Sequence, residues 1–230
     1  MVNPLVLVGW GWVVFILYLY YIYSMKINFV FVPICLFLLV SCNITPPPIE
    51  EKFTVSLDSL QKPISVIEGQ YETALAIKKN NINVIFFPED DIVALQYKVD
   101  LVTYYQFWNR YGRDTFISSL EKYNKEYDER TISSNGKKTL KNYGRINGYL
   151  IWRMSTFTVQ AKANVNIDIG YIFYRKLPYF TITQRETTYV NPNDKNNTAT
   201  SKQKTIYFTR AQAADLAEIF DQAFLDKIGF

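Results

Sequence analysis

The first 42 positions contain one charged residue, Lys26; every other lysine, arginine, aspartate and glutamate of this 230-residue chain lies beyond Cys42. A segment so poor in charge cannot form the surface of a water-soluble domain, so the chain divides into an apolar leader and an ordinary polar body. Of the 25 basic and 21 acidic residues, the body keeps all but Lys26. That near balance is too mild to argue for nucleic acid, which usually needs a clustered basic face. With 49% apolar and 20% charged residues the composition is globular and not disordered. The chain has no histidine, which excludes a histidine general base, a Ser-His-Asp triad and the common zinc sites. Two cysteines, Cys35 and Cys42, cannot supply a disulfide framework.

The leader holds two apolar runs. Leu5 to Tyr23 is uncharged and close to the ~20 residues that cross a bilayer as a helix. It closes on Tyr18, Tyr20, Tyr21 and Tyr23, a residue type that favours the membrane interface. Phe29 to Val40 is shorter, with Lys26 before it and Ser41 after it, the pattern of an export signal. Leu39-Val40-Ser41-Cys42 at its exit resembles the lipobox of bacterial lipoprotein precursors. In that family the cysteine thiol receives a diacylglycerol, a peptidase cuts just before it, and the new amino group is often acylated, for example with palmitate. The resemblance therefore implies lipidation at Cys42, cleavage between Ser41 and Cys42, and a membrane-anchored protein of the periplasm or cell surface. It covers Met25 to Cys42 alone. Residues 1–24 are surplus to it: translation starts at Met25, or Leu5–Tyr23 is a genuine span. Two or three acyl chains anchor firmly where one holds marginally, at ~0.8 kcal/mol per buried methylene.

Residues 42–52 include Pro46-Pro47-Pro48 and read as an extended tether. At ~3.1 Å per residue it would reach up to ~30 Å from the membrane. The body, 53–230, reads as one α+β domain: a curved antiparallel sheet of about seven or eight strands covered by two helices. Phe53 to Leu57 alternates with the strand period. Tyr71 to Lys78 is a strand or a short helix, Lys79-Asn80-Asn81 a turn, and Ile82 to Phe87 a strand. From Ile92, the residues Val93, Leu95, Tyr97, Val99 and Leu101 share a face. A helix capped by Asp114 presents Phe116, Leu120, Tyr123 and Tyr127, and 133–138 is a loop. Strands follow at 145–154, 165–174 and 179–190, with a hairpin at 175–178, a loop at 191–203 and a strand at 204–208. The C-terminal helix opens on a capping box, Thr209 with Gln212, and carries a stripe of Leu216, Ile219, Phe220, Ala223, Phe224 and Ile228.

No catalytic signature, metal site or cofactor motif stands out. Glu89-Asp90-Asp91 offers hard oxygen ligands for calcium, but Pro-Glu-Asp-Asp between two strands is ordinary turn material. Asn191 to Asn197 lacks the glycine and glutamate of an EF-hand loop. Tyr104, Tyr105, Phe107, Trp108 and Tyr111, with Arg110 and Arg113, have the composition of a stacking platform, or of a core with arginines at its edge. Lys137, Lys138, Lys141 and Arg145 read as solvated surface, close enough in type to touch anionic headgroups. The sequence thus carries an address and no activity. Its leading implication is a non-enzymatic, lipid-anchored envelope protein whose partners are a membrane and an unnamed ligand or protein. The alternatives are a carrier of apolar ligands in a sheet-and-helix cavity, and an envelope hydrolase using Glu89, Asp90 or Asp168.

Overall fold

A computed structural model of the chain describes residues 62–72, 76–132, 140–154 and 160–229. All of them lie in the compact unit Pro46–Phe230; the other unit, Met1–Thr45, holds none of them. The predicted strand at Phe53–Leu57, the loop at 133–138 and the whole leader therefore lie outside the described residues.

Strand β1 (Ser65–Glu72) pairs antiparallel with β2 (Ile77–Phe87), from Ser65 opposite Val84 to Glu72 opposite Ile77. The chain reverses before Ile77, so Lys79-Asn80-Asn81 is not the expected turn but part of β2. Polar residues are tolerated there because Lys79 pairs with Glu68, and Asn80 Nδ2 donates to Lys98 O. A 3-10 turn (Pro88–Asp90) leads to β3 (Ile92–Val99), and a tight reversal at Asp100-Leu101 leads to β4 (Val102–Trp108). Asp100 takes the left-handed conformation at φ 55°, which a short polar side chain tolerates better than most. After helix α1 (Arg110–Asp128) come the long strands β5 (Leu140–Met154) and β6 (Gln160–Tyr174). Arg175 and Lys176 both adopt positive φ, the two-residue reversal that matches strand twist. They join β6 to β7 (Leu177–Gln184).

The stretch expected as one strand to Val190 breaks at Arg185-Glu186. The loop expected at 191–203 is mostly strand: β8 (Thr187–Asn191) and β9 (Asp194–Ser201) form a separate two-stranded hairpin. Threonines make this polar ladder workable, with the hydroxyls of Thr188 and Thr200 3.1 Å apart across it. Strand β10 (Lys204–Phe208) then pairs with both β7 and β1.

That last pairing, Tyr71 opposite Ile206, closes the sheet into an eight-stranded antiparallel barrel in the order β1-β10-β7-β6-β5-β4-β3-β2. The class is α+β and mostly sheet, as expected, but the predicted curved sheet closes fully into a barrel, and among the described residues three helices accompany it where two were expected. Closure satisfies the backbone groups that two open edges would leave unpaired. Alternate residues fill the barrel: Ile82, Val84, Leu95, Tyr97, Leu150, Ile167, Ile182 and Ile206 are all buried in one cluster.

Helix α1 is capped by Asn109, whose side chain accepts from Gly112 N at 2.9 Å. Asp114, the expected cap, is an exposed residue inside the helix. Phe116, Leu120 and Tyr123 are buried as predicted, and Phe116 meets Trp108, Phe180 and Phe220 edge-on. Helix α2 (Arg210–Phe220) opens on the predicted capping box. It stops at Asp221, whose extended ψ of 131° starts helix α3 (Gln222–Ile228). The break shifts the helical phase: Leu225 is buried, while Ala223 and Ile228, counted in the stripe, are exposed. Among the described residues no helix is long and apolar enough to cross a membrane.

Candidate functional site

Two of the buried polar residues, Gln184 and Ser201, meet at the end of the barrel where β7 leaves for the β8–β9 hairpin. Tyr97 and Tyr104 are opposed across the β3–β4 ladder, their rings stacked 5.4 Å apart at 16°. Tyr97 OH donates to Gln184 Oε1 (3.0 Å), and Gln184 Nε2 donates to Ser201 Oγ (2.8 Å). Three strands, β3, β7 and β9, thus each give one residue to a hydrogen-bonded chain that ties the base of the hairpin to the barrel wall, with Tyr104 of β4 stacked on its first member. Burial, reinforced by the neighbouring Tyr104, pushes the Tyr97 hydroxyl far above its ordinary value. Burial also raises Tyr104, against the Ser201 hydrogen bond. Both phenols are therefore neutral hydrogen-bonding groups at any physiological pH. Beside them lies a cleft of about 190 Å³ lined by Tyr71, Glu72, Tyr97, Val99, Gln203 and the start of β10 at Lys204 to Ile206. The cleft can hold a few waters or a small polar group by hydrogen bonds.

Asp168, a candidate acid of the hydrolase reading, sits on the outer side of β6 and is 1% exposed. It is the one fully buried carboxylate among the described residues. Arg145, directly opposite on β5, donates from Nε to Oδ1 at 2.5 Å, and Arg185 pairs with Oδ2. Burial pushes Asp168 up, but the hydrogen bonds from Arg145, Asn142 and Arg185 and the charge of Arg185 hold it below the ordinary carboxylate value. An anion clamped between two guanidiniums is neither a general acid nor a free base near neutral pH. Arg145, read as solvated surface, is thus a structural partner. Lys141 donates to Glu126, and Tyr143 OH donates to the other oxygen at 2.8 Å.

Glu89 and Asp90 are exposed on the 3-10 turn, away from any described acidic cluster of metal-binding size. Asp91 is engaged by Arg113. Sequence reasoning placed Arg113 at the edge of the core, yet its side chain is 1% exposed. Its Nη1 donates to Asp91 O (2.7 Å), and its Nη2 to Asp91 Oδ1 (2.7 Å) and Gln222 Oε1 (2.6 Å). One guanidinium therefore joins the β2–β3 turn, α1 and α3. The stacking-platform reading of residues 104–111 does not hold together: strand alternation sends Tyr104 and Trp108 into the barrel and Tyr105 and Phe107 to its outer side. Leu39, Val40, Ser41 and Cys42, the lipobox positions, lie outside the described residues. Gln184 and Ser201 were not legible as site residues. Their one signal, a glutamine and a serine each ending a strand, is too common to read.

A family model described as "Uncharacterised Treponema protein" matches residues 57–227, which takes in nearly all of the barrel, the hairpin and the three helices and leaves the lipobox outside. No curated protein and no solved structure matches the chain.

Proposed function

The chain belongs to the family of uncharacterised Treponema proteins, and we propose that it is a lipid-anchored envelope protein that binds or assembles through its barrel and catalyses no reaction. The Leu39-Val40-Ser41-Cys42 motif supports the anchor, and a family described from a bacterial genus supplies the setting in which such a motif is read. The single observation that carries the non-catalytic part is the pairing of Asp168. The described domain buries one carboxylate and commits it to two arginines, while its buried phenols are held neutral. Packing of the barrel axis by Ile82, Leu95, Tyr97, Leu150, Ile167 and Phe180 favours binding at the mouth or the outer surface over carriage of an apolar cargo inside.

The test is partition of the full-length protein, expressed in a bacterium, between detergent and water. The native chain should enter the detergent phase and yield an N-terminal peptide beginning at an acylated Cys42. Cys42→Ala should leave the detergent phase if residues 1–41 are still removed. An unmodified Cys42 in membrane-bound native protein would overturn the anchor.

A further inference from the structure

Strand β10 carries Lys204, Ile206 and Phe208 on one face, and Ile206 and Phe208 are buried in the barrel core. Strand alternation therefore turns Lys204 toward the same interior, at the end of β10 away from helix α2. The register agrees: Lys204 lies opposite Gln184, whose side chain meets Tyr97 inside the barrel. Lys204 is half-buried, and its ammonium makes no ion pair or hydrogen bond among the described residues. A cation drawn part-way out of water without a counter-ion is costly. The cleft beside Tyr97 puts it next to further uncommitted donors. Tyr71, opposite the buried Ile206, has a hydroxyl that bonds to no described residue. Gln203 accepts from Arg185 Nη1 at 3.1 Å through its side-chain oxygen, which leaves its amide hydrogens to donate. The same lining holds acceptors. Tyr97 uses its hydroxyl proton on Gln184 Oε1, so toward the cleft it can only accept. Glu72, exposed at the rim, accepts from Tyr207 OH at 2.8 Å and has a further partner.

We propose that this cleft binds a small hydroxycarboxylate, with Lys204 holding the carboxylate. A charge-assisted bond from the ammonium gives the anion its main hold, and the amide of Gln203 and the hydroxyl of Tyr71 are donors for its remaining lone pairs. The charge balance selects a carboxylate over a phosphate. A phosphate group carries nearly two negative charges near neutral pH. It would meet one ammonium here and the Glu72 carboxylate at the rim. A carboxylate brings a single charge. The acceptors select the second group of the ligand: a neutral hydroxyl can donate to Tyr97 Oη or to Glu72 without setting another cation beside Lys204. A cleft of about 190 Å³ suits a molecule of a few heavy atoms. The site rests on the reading that the barrel binds at its mouth, and not on the lipid anchor. Detergent partition and the mass of the N-terminal peptide do not depend on Lys204, so either idea can fail alone.

Amine labelling of the full chain tests it. The protein is treated with a succinimidyl ester in lactate, in inorganic phosphate or in chloride at matched ionic strength, and labelling of each lysine is read by peptide mass spectrometry. Lactate should slow labelling of Lys204 several-fold and leave the exposed Lys202 at its chloride rate. Phosphate should protect Lys204 less than lactate does. Equal protection of Lys202 and Lys204, protection by phosphate as strong as by lactate, or no protection by lactate overturns the site. A second measurement is calorimetric titration of lactate into Lys204→Met and Lys202→Met, with the fold of each checked by circular dichroism. Binding should weaken ~10-fold or more in Lys204→Met, the loss of one charge-assisted bond, and keep its native strength in Lys202→Met. Native-strength binding in a folded Lys204→Met also overturns it.

Discussion

Arg113 and Asp91, 22 positions apart in sequence, meet as a 2.7 Å ion pair in which the guanidinium is buried and the carboxylate is partly open to water. The asymmetry fixes what each substitution should do. Arg113→Met removes the charge-assisted donors to Asp91 O, Asp91 Oδ1 and Gln222 Oε1 together, and should cost about 2–4 kcal/mol in urea unfolding. Asp91→Asn keeps the carbonyl contact and a side-chain acceptor and should cost about 1 kcal/mol. Equal losses would mean that the pair, and not the arginine's three-way bridge, is what stabilises this end.

The Asp168 clamp makes a pH prediction. Its folded value lies below the ordinary carboxylate value expected in the unfolded chain. In the interval between those two values the unfolded state binds more protons. The stabilisation is therefore complete above the unfolded value and is lost as pH falls toward the depressed folded one. Glu126, lowered chiefly by its hydrogen bond from Lys141, acts in the same direction. The expected result is a urea midpoint that falls on acidification below about pH 4 in the native protein, and falls less steeply in Asp168→Asn, which starts lower at pH 7. Parallel pH profiles for the two proteins would refute this.

Gly170 and Gly69 separate backbone from side-chain crowding. A Cβ on Gly170 would lie 1.8 Å from the carbonyl oxygen of Lys141, where β5 presses against β6. A Cβ on Gly69 would lie 2.7 Å from Ile82 Cδ1, a movable side-chain end, and 3.0 Å from Ile206 Cγ2, with no backbone atom among its nearest neighbours. Gly170→Ala should cost at least ~3 kcal/mol and Gly69→Ala ~1 kcal/mol or less, read from thermal or urea unfolding.

The hairpin should loosen without the barrel. Gln184→Ala removes the link between Tyr97 and Ser201, leaving the barrel ladder intact. Hydrogen exchange of amides in 187–201 should quicken about 10-fold, consistent with ~1–2 kcal/mol per buried bond pair lost. Amides in β3 and β6 should keep their native rates.

How far these features could be read in advance depended on the range over which each is encoded. The Thr209–Gln212 capping box and the alternation of Val93, Leu95, Tyr97 and Val99 are local, and the structure has both. Barrel closure rests on Tyr71 meeting Ile206, a pairing 135 residues long that no window of sequence displays. The β8–β9 ladder looked like a loop because asparagine, threonine and lysine are turn-rich in composition, while the Thr188–Thr200 pair that links its strands is revealed only by register. The start of α1 was misplaced: Asp114 was expected to cap it, yet Asn109 does so, accepting from Gly112 N in the first turn. Of the mouth cluster, Tyr97 was legible as one of a face of apolar residues, and Tyr104 only as an aromatic of a platform or a core. Gln184 and Ser201 acquire meaning once β7 and β9 end side by side.

A ring of strands has no first or last member, so it cannot be lengthened by a visiting strand. Among the described elements, the two-stranded β8–β9 hairpin is where ladder positions remain to be matched. Its exposed strand reads Asp194-Lys195-Asn196-Asn197-Thr198, a polar, charge-bearing border. Neighbouring molecules would therefore meet at borders that discourage sheet-to-sheet growth, and stand at high concentration without fusing into fibres.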